Sequence, residues 1–383
     1  MERAGFTVHT DTVFGCKTTA VSCHRGVSRG ALTARSRRTV PLLLALCAVL
    51  PAARTLAGPE GPAEPPAYRL EGRAAFHVGL FHWLDSIAGS SNGKTIILYR
   101  NEFERLFKKA SGEDLAQIRA FRDVRARHAQ VRQRGAWVWG FGYPRVGLAA
   151  MLGVFMEEDS EEAALVRLAP QLQVRDMASL RRALEYFRPR YMTIWEDARQ
   201  LKRFSAEFDR PEFRRPVEEF LTTVARFLGV STAGASTPRL NVVPVPGGGG
   251  THAQAVGRNL LLEIRPGDTP SDMVDVIVHE NVHVMWEMIP SRRLRSLEEA
   301  AGKAAPRGER VWRLLHEALP TALGQGVGQA RFHPVKFSRD ESWYHVADVD
   351  RVAKNIYPIV ERSIAEGRIL DESLMAELVR AGS

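Results

Sequence analysis

Cysteine is scarce in this 383-residue chain and absent from most of it. The three cysteines are Cys16, Cys23 and Cys47, so the sequence after residue 57 holds no thiol. A disulfide framework, a thiolate zinc site and a cysteine nucleophile are therefore excluded for that part of the chain. Any metal bound there must be held by histidine and carboxylate side chains.

After the first 57 residues, the chain also lacks a large excess of basic over acidic residues. The net charge is +9, but residues 1–57 hold eight of the 53 basic and two of the 44 acidic residues, which leaves 45 and 42 for the rest. A nucleic-acid partner requires basic residues clustered on one face. Because the body of the chain mixes both signs, we expect no nucleic-acid partner.

The apolar run at residues 40–52 is too short for a stable membrane-spanning helix, which needs about 20 residues. It follows an arginine-rich stretch and precedes Thr55-Leu56-Ala57, which has small residues where an export peptidase reads. This arrangement predicts an export signal peptide at residues 1–57 and no stable membrane span after its removal. We therefore expect an exported protein, periplasmic or extracellular.

Hydrophobic periodicity divides the remainder into two regions. Residues 58–235 carry apolar residues mostly at helical spacings and predict a helical N-terminal region, in which the glycine-broken stretch 136–155 predicts a buried strand and turn. Two β-like runs follow, 239–245 and 253–264, joined by a four-glycine hairpin loop, and a helical pattern then resumes. We expect a predominantly helical α+β fold whose small sheet belongs to a second region, residues 236–383.

One histidine pair has the spacing of a metal site. The sequence His279-Glu280-Asn281-Val282-His283 lies in a predicted helix with uncharged flanks. Residues four apart share one face of a helix, about 6 Å apart along its axis, so both imidazoles can reach one ion, a geometry that suits zinc. Glu280 is rotated by about 100° from His279, so it borders the site and can accept a proton from a water bound there.

At these residues the sequence resembles the zincin metallopeptidases, whose HExxH signature it fits together with the uncharged flanks. The resemblance implies a zincin-like catalytic region, zinc as the cofactor, a peptide or protein substrate, and peptide-bond hydrolysis with Glu280 as the general base. No third histidine follows His283 at the short spacing of the metzincin branch. The gluzincin branch, which takes a glutamate from a second helix, is the better match.

This resemblance implies a third ligand among the downstream glutamates, of which the candidates are Glu287, Glu298, Glu299, Glu309 and Glu317. Glu287 lies on the same predicted helix, about 12 Å along its axis from His279, and is too far away to share an ion. Glu298 and Glu299 lie in a charged stretch that indicates a solvated face. Glu317 lies in an apolar predicted helix and is followed by small residues, as in many gluzincins, which favours Glu317.

The resemblance also implies a donor for the oxyanion and a strand that lines the substrate cleft. Gluzincins often place a tyrosine or histidine after the third ligand, and Tyr344 is the favoured candidate, with His345 as its neighbour and Tyr357 behind them. In zincins an edge strand before the motif helix pairs with extended substrate. Residues 257–264 stand in that position, although an ordinary core strand explains them almost equally well.

Two other functions are compatible with the sequence. One is a zincin fold that binds a metal or a partner without cleaving anything, and the other is a secreted helical scaffold in which HExxH occurs by chance. A second metal site at His77, His82 and Asp85 is not expected, because the two histidines are five residues apart and off a common helical face. Hydrogen-bonded core or capping roles are expected for those three residues.

Overall fold

The structure, a computed structural model, describes residues 68–89, 96–128, 146–232, 237–245 and 253–383. These residues all belong to one unit, Pro62–Ser383. The predicted signal peptide and the four-glycine loop lie outside the described residues. Among the helices that are described, none combines the length and the apolar character needed to cross a membrane.

Helices account for most of the described chain. Their bounds are α1 Phe76–Ala88, α2 Ile96–Phe107, α3 Gly112–Arg127, α4 Val146–Glu157, α5 Glu161–Leu168, α6 Val174–Asp197, α7 Arg199–Phe208, α8 Pro211–Leu228, α9 Val274–Glu287, α10 Ser291–Ala304, α11 Gly308–Thr321, α12 Gln329–Phe332, α13 Ala347–Ala365 and α14 Glu372–Gly382. A π-helical segment, Ala322–Gly328, joins α11 directly to α12. The mostly helical α+β character expected from the sequence is present.

A small mixed sheet lies among the helices. Its strands are β1 Glu71–Ala74, β2 Arg239–Pro244, β3 Ala253–Val256 and β4 Asn259–Ile264, in the order β1-β2-β4-β3. The strands β1, β2 and β4 are parallel, and β3 is antiparallel to β4. The predicted pairing of the two β-like runs as one hairpin was wrong. The hairpin is β3–β4, because Gly257 adopts the left-handed conformation (φ 59°) that a tight turn requires.

The predicted cleft strand, residues 257–264, is not at an edge of the sheet. Its regular part, β4, is hydrogen-bonded on both sides, by β2 and by β3. The physical reason is its composition, since Leu260, Leu261 and Leu262 supply apolar side chains to both faces, as an interior strand requires. The edge strand beside the motif helix is instead β3, which contacts α9.

The sheet separates two hydrophobic cores. On one face, Leu260 and Leu262 pack with the C-terminal helices, including α9, and on the other Leu261 and Val243 pack with α1, α3, α4 and α6. Both predicted regions therefore contribute to the same sheet, because β1 is paired with β2. The division near residue 235 stays a prediction. The predicted strand and turn within residues 136–155 was wrong for its described part, which begins α4.

Burial explains why the motif forms a helix despite its many valines. Branched residues such as Val278 and Val282 have only modest helix propensity. Both are fully buried, and Ile277 and Met285 are buried with them, so α9 has apolar contacts on most of its circumference. Tertiary packing of this kind contributes more to a helix in a protein than propensity does. The two histidines are thereby fixed on a helix that is packed on several sides.

The π-helical segment packs closely against α9 at Gly324. A Cβ added there would lie 2.4 Å from the Asp275 carbonyl oxygen and 3.0 Å from His279 Cβ. We expect Gly324→Ala to lower the free energy of unfolding by about 1–3 kcal/mol, because the two backbones must separate. Denaturant-induced unfolding of the variant and of the wild type measures this difference in the free energy of unfolding. Gly302→Ala is the control, since its Cβ would meet only Glu309 Cγ at 3.9 Å, and it should be neutral or slightly stabilising. Equal stability of Gly324→Ala and the wild type would contradict this packing.

Candidate metal centre

Three side chains from two helices converge on one point. The Nε2 atoms of His279 and His283, one turn apart on α9, are 3.2 Å from each other. The Glu317 carboxylate arrives from α11, and its Oε2 lies 3.5 Å from each of these two nitrogens. These are the three residues that the sequence pattern and the zincin resemblance selected. Within the described ranges they form the one group of three or more histidine, cysteine or acidic side chains able to hold a metal ion.

The spacing of these three atoms fits a tetrahedral ion. Metal–ligand bonds of about 2.0–2.2 Å, as zinc makes to nitrogen and oxygen, place tetrahedral ligand atoms about 3.3–3.6 Å apart. The three observed separations, 3.2, 3.5 and 3.5 Å, agree with that requirement without rearrangement of either helix. Two imidazoles and one carboxylate are also a common donor set, and they leave a fourth position for a small molecule.

The electrostatics of the group favour a charged carboxylate. Burial acts to raise the pKa of Glu317, but the adjacent imidazoles of His279 and His283 outweigh it and hold the pKa well below its usual range. Burial likewise acts to lower the pKa of His283, but the Glu317 carboxylate outweighs it and raises the pKa. A proton on His283 and the negative charge of Glu317 therefore stabilise each other, and a cation that binds here competes with that proton.

One side of the centre is open to solvent. The side chains of His279 and His283 are 8% and 15% exposed, whereas that of Glu317 is 41% exposed. The imidazoles thus form the floor and the carboxylate lies at the mouth. Water and a larger ligand can reach the fourth position from the Glu317 side.

Tyr344 lies at this mouth, in contact with two of the three residues. Its hydroxyl donates to Glu317 Oε2 at 3.0 Å, and its ring is parallel to that of His279 with 6.0 Å between the centroids. The loop that carries it is fixed by Asp350, whose Oδ1 accepts the backbone N–H groups of Trp343 and Tyr344. Of the aromatic candidates named from the sequence, Tyr344 therefore reaches the centre, whereas Tyr357 packs behind the loop against Trp343.

Glu280 is half-buried on α9, between the two histidines in the sequence. Its charge is close enough to His283 to contribute to the raised pKa of that imidazole. It does not belong to the three-residue group, as its rotation around the helix predicts. Its place next to His279 on the helix keeps its carboxylate a candidate proton acceptor.

Gln325 completes the surroundings of His279 and was not identified from the sequence. Its side-chain oxygen accepts a hydrogen bond from His279 Nδ1 at 3.2 Å. The signal present in the sequence is the run of alternating glycines, Gly324, Gly326 and Gly328, which indicates close backbone packing around Gln325.

The other candidate ligands lie elsewhere. Glu298 and Glu299 are exposed on α10, Glu309 is exposed in the first turn of α11, and Glu287 is exposed at the end of α9. None of these four side chains belongs to the three-residue group. The large sequence distance between His283 and Glu317 is bridged by α10, which contacts α11, and α11 in turn contacts the motif helix α9.

The histidines and aspartate of α1 have core roles, as expected. His82 Nε2 bonds the fully buried Glu263 carboxylate at 2.7 Å. Asp85 accepts two hydrogen bonds from Arg125, both at 2.9 Å. His77 Nε2 contacts the carbonyl oxygens of Phe155 and Glu158. These residues tie α1 to β4, α3 and the end of α4.

In comparisons with known proteins, no family model matches the chain, and no curated protein or solved structure matches it significantly.

Proposed function

We propose that this protein is an exported zinc-dependent metallopeptidase of gluzincin type. The observation that carries this proposal is the position of Glu317 Oε2, 3.5 Å from both imidazole nitrogens of the HExxH helix. A carboxylate from a second helix at that place gives three protein ligands and an open fourth position, which is the arrangement of catalytic rather than structural zinc sites. Structural zinc sites are closed by four protein ligands.

The donor set supports zinc over other common ions. Magnesium and calcium prefer oxygen ligands, six or more in number. Two imidazoles and one carboxylate with tetrahedral spacing suit zinc better. When bound, zinc would lower the pKa of a water ligand and polarise the carbonyl group of the scissile bond.

The chain's own residues supply the proton transfers and the charge stabilisation. Glu280 takes the proton from the attacking water and delivers it to the leaving amine, because its carboxylate borders the centre without occupying a ligand position. The Tyr344 hydroxyl, which donates to Glu317 in the absence of substrate, can rotate to donate its one O–H instead to the negative charge that develops on the carbonyl oxygen. Asp350 keeps the Tyr344 loop in place through two backbone hydrogen bonds.

The edge strand β3 supports a peptide as the substrate. Among the described strands it pairs with β4 alone, and it contacts α9, the helix that carries the two histidines. An extended peptide can add to such an edge through main-chain hydrogen bonds, which recognise any sequence. The side chains of the cleft then set the cleavage preference.

The test of this function is removal and return of the metal. We expect the purified full-length protein to contain about one zinc per chain and to cleave members of a fluorogenic peptide library. A chelator should abolish cleavage, and stoichiometric zinc should restore it, because the apoprotein keeps all the groups except the ion. Elemental analysis and hydrolysis are measured on the same samples. Bound zinc without hydrolysis would favour the non-catalytic zincin, and absence of bound metal would favour the scaffold.

Zinc affinity should fall as the pH is lowered through the pKa of His283. The Glu317 carboxylate raises that pKa above the usual value of 6.5, so protons compete with the metal at a higher pH than for an ordinary histidine. Only the neutral imidazole binds zinc, so affinity is highest above this pKa and is lost below it. Competitive titrations between about pH 5.5 and 8.5 measure the effect. A constant affinity across this interval would contradict the coupling.

A further inference from the structure

The helix that supplies Glu317 also supplies Gln325, and between them its geometry changes. The α-helix α11 ends at Thr321, and the chain continues without a break as the π-helical segment Ala322–Gly328. Gln325 lies at the middle of this segment. Short π-helical segments are rare and occur frequently at functional sites. This π-helical segment lies beside the metal centre, because its Gln325 contacts His279.

The wider turn changes the direction in which Gln325 points. Glu317 and Gln325 are eight residues apart, so in a continuous α-helix their side chains would differ by about 80° around the axis. A π-helical turn closes its hydrogen bonds one residue later and therefore rotates each residue by less than 100°. The segment thus turns Gln325 back toward the Glu317 face. Both side chains consequently contact His279, one at Nε2 and the other at Nδ1.

Two glycines fix the backbone on either side of Gln325. The Gly324 backbone contacts α9, where an added Cβ would lie 2.4 Å from the Asp275 carbonyl oxygen. At Gly326 an added Cβ would lie 2.6 Å from Tyr357 Cδ2, on α13. The segment is therefore closely packed between α9 and α13. This packing restrains the backbone at Gln325 and so limits the positions that its side chain can reach.

The contact selects one tautomer of His279. The Gln325 side-chain oxygen lies 3.2 Å from His279 Nδ1 and can only accept, so this contact is a hydrogen bond when Nδ1 carries the hydrogen. A neutral imidazole with a hydrogen on Nδ1 has its lone pair on Nε2, the atom that faces His283 and Glu317. Residues that bond the far nitrogen of a metal-binding histidine orient the ring and raise its basicity.

We propose that Gln325, presented by the π-helical segment, is a positioning residue that holds His279 in the Nδ1–H tautomer and directs its Nε2 lone pair at the metal. The inference rests on the metal-binding part of the proposed function. One continuous helical stretch thereby carries a ligand, Glu317, and the support of another ligand, His279.

The experiment compares full-length Gln325→Leu, Gln325→Glu and Gln329→Leu with the wild type. Gln325→Leu removes the acceptor, Gln325→Glu keeps one, and Gln329→Leu is the matched control, half-buried four residues later in α12. The histidine tautomer is read in the metal-free proteins by ¹⁵N NMR, and zinc affinity by competitive titration. If Gln325→Leu does not fold, Gln325→Met, which keeps the side-chain length, replaces it.

We expect His279 to be the Nδ1–H tautomer in the wild type, in Gln325→Glu and in Gln329→Leu, and to lose this preference in Gln325→Leu. Zinc affinity should fall about 10- to 100-fold in Gln325→Leu and change little in the other two. An Nε2–H tautomer in the metal-free wild type, or unchanged tautomer and affinity in Gln325→Leu, overturns the inference. A wild type with the Nδ1–H tautomer but no zinc binding instead overturns the proposed function and leaves the positioning supported.

Discussion

Replacing Glu280 with glutamine is expected to lower kcat for peptide hydrolysis by roughly 10²- to 10⁴-fold, the usual contribution of a general acid–base group. Glutamine has nearly the same size but cannot take a proton from water. Because Glu280 is not one of the three grouped ligands, the zinc content should stay at the wild-type value. Steady-state kinetics and elemental analysis on the same preparation measure both quantities.

Glu287→Gln is the matched control for this variant. Glu287 is on the same helix, α9, at its exposed end and outside the ligand group, and its charge helps to raise the pKa of His283 as that of Glu280 does, so the two variants share this electrostatic effect and differ in proton transfer. We expect Glu287→Gln to keep kcat within a few-fold of the wild type. If Glu280→Gln were as active as the wild type, the proposed proton transfer would be wrong. If Glu280→Gln lost its zinc, Glu280 would have to be a ligand instead.

Replacing Glu317 with glutamine is expected to weaken zinc binding by at least about 100-fold, beyond the usual effect of residues that only support a ligand. The substitution removes the negative charge that lies 3.5 Å from both imidazoles but keeps the shape of the side chain. Activity at limiting zinc should be lost in parallel. Competitive titration with a chromophoric chelator measures the affinity of the variant and of the wild type.

Two other variants separate Glu317 from its rivals in the sequence. Glu309→Gln changes the same helix near its start, and Glu298→Gln changes the exposed face of α10. Both side chains are exposed, so both variants should bind zinc as the wild type does. A large loss of affinity in either variant, with Glu317→Gln unchanged, would show that the third ligand had been assigned to the wrong glutamate.

Strand order shows where periodicity is a poor guide. The sequence indicates two β-like runs correctly in position, but it does not specify which strands pair. The turn at Gly257 divides the second run into β3 and β4, and the parallel pairing of β2 with β4 places β4 inside the sheet. The predicted edge strand, residues 257–264, is therefore wrong, and the edge strand of this hairpin is β3. Pairing depends on long-range contacts, which local patterns do not record.

The helix α4 is a second case in which the local sequence pattern predicted the wrong structure. The glycines in the stretch 136–155 predict a strand and turn. The part of this stretch that the structure describes, residues 146–155, instead belongs to a helix, Val146–Glu157. Met151 and Phe155 of this helix are fully buried against α1 and the sheet. Burial on several sides removes the polar face that normally identifies a helix in a sequence. Packing, rather than local propensity, decided its structure.

The sequence alone determined the paired imidazoles, because a spacing of four residues on a helix fixes the distance between His279 and His283 through local geometry. The resemblance to zincins added an acidic third ligand and favoured Glu317. Only the tertiary structure decided that this carboxylate meets both rings, that Tyr344 lies at the mouth and that Gln325 supports His279. These contacts join residues that are 27 to 65 positions apart in the sequence. They form only when α9, α11, the π-helical segment and the Tyr344 loop pack together, and local sequence patterns do not record that packing.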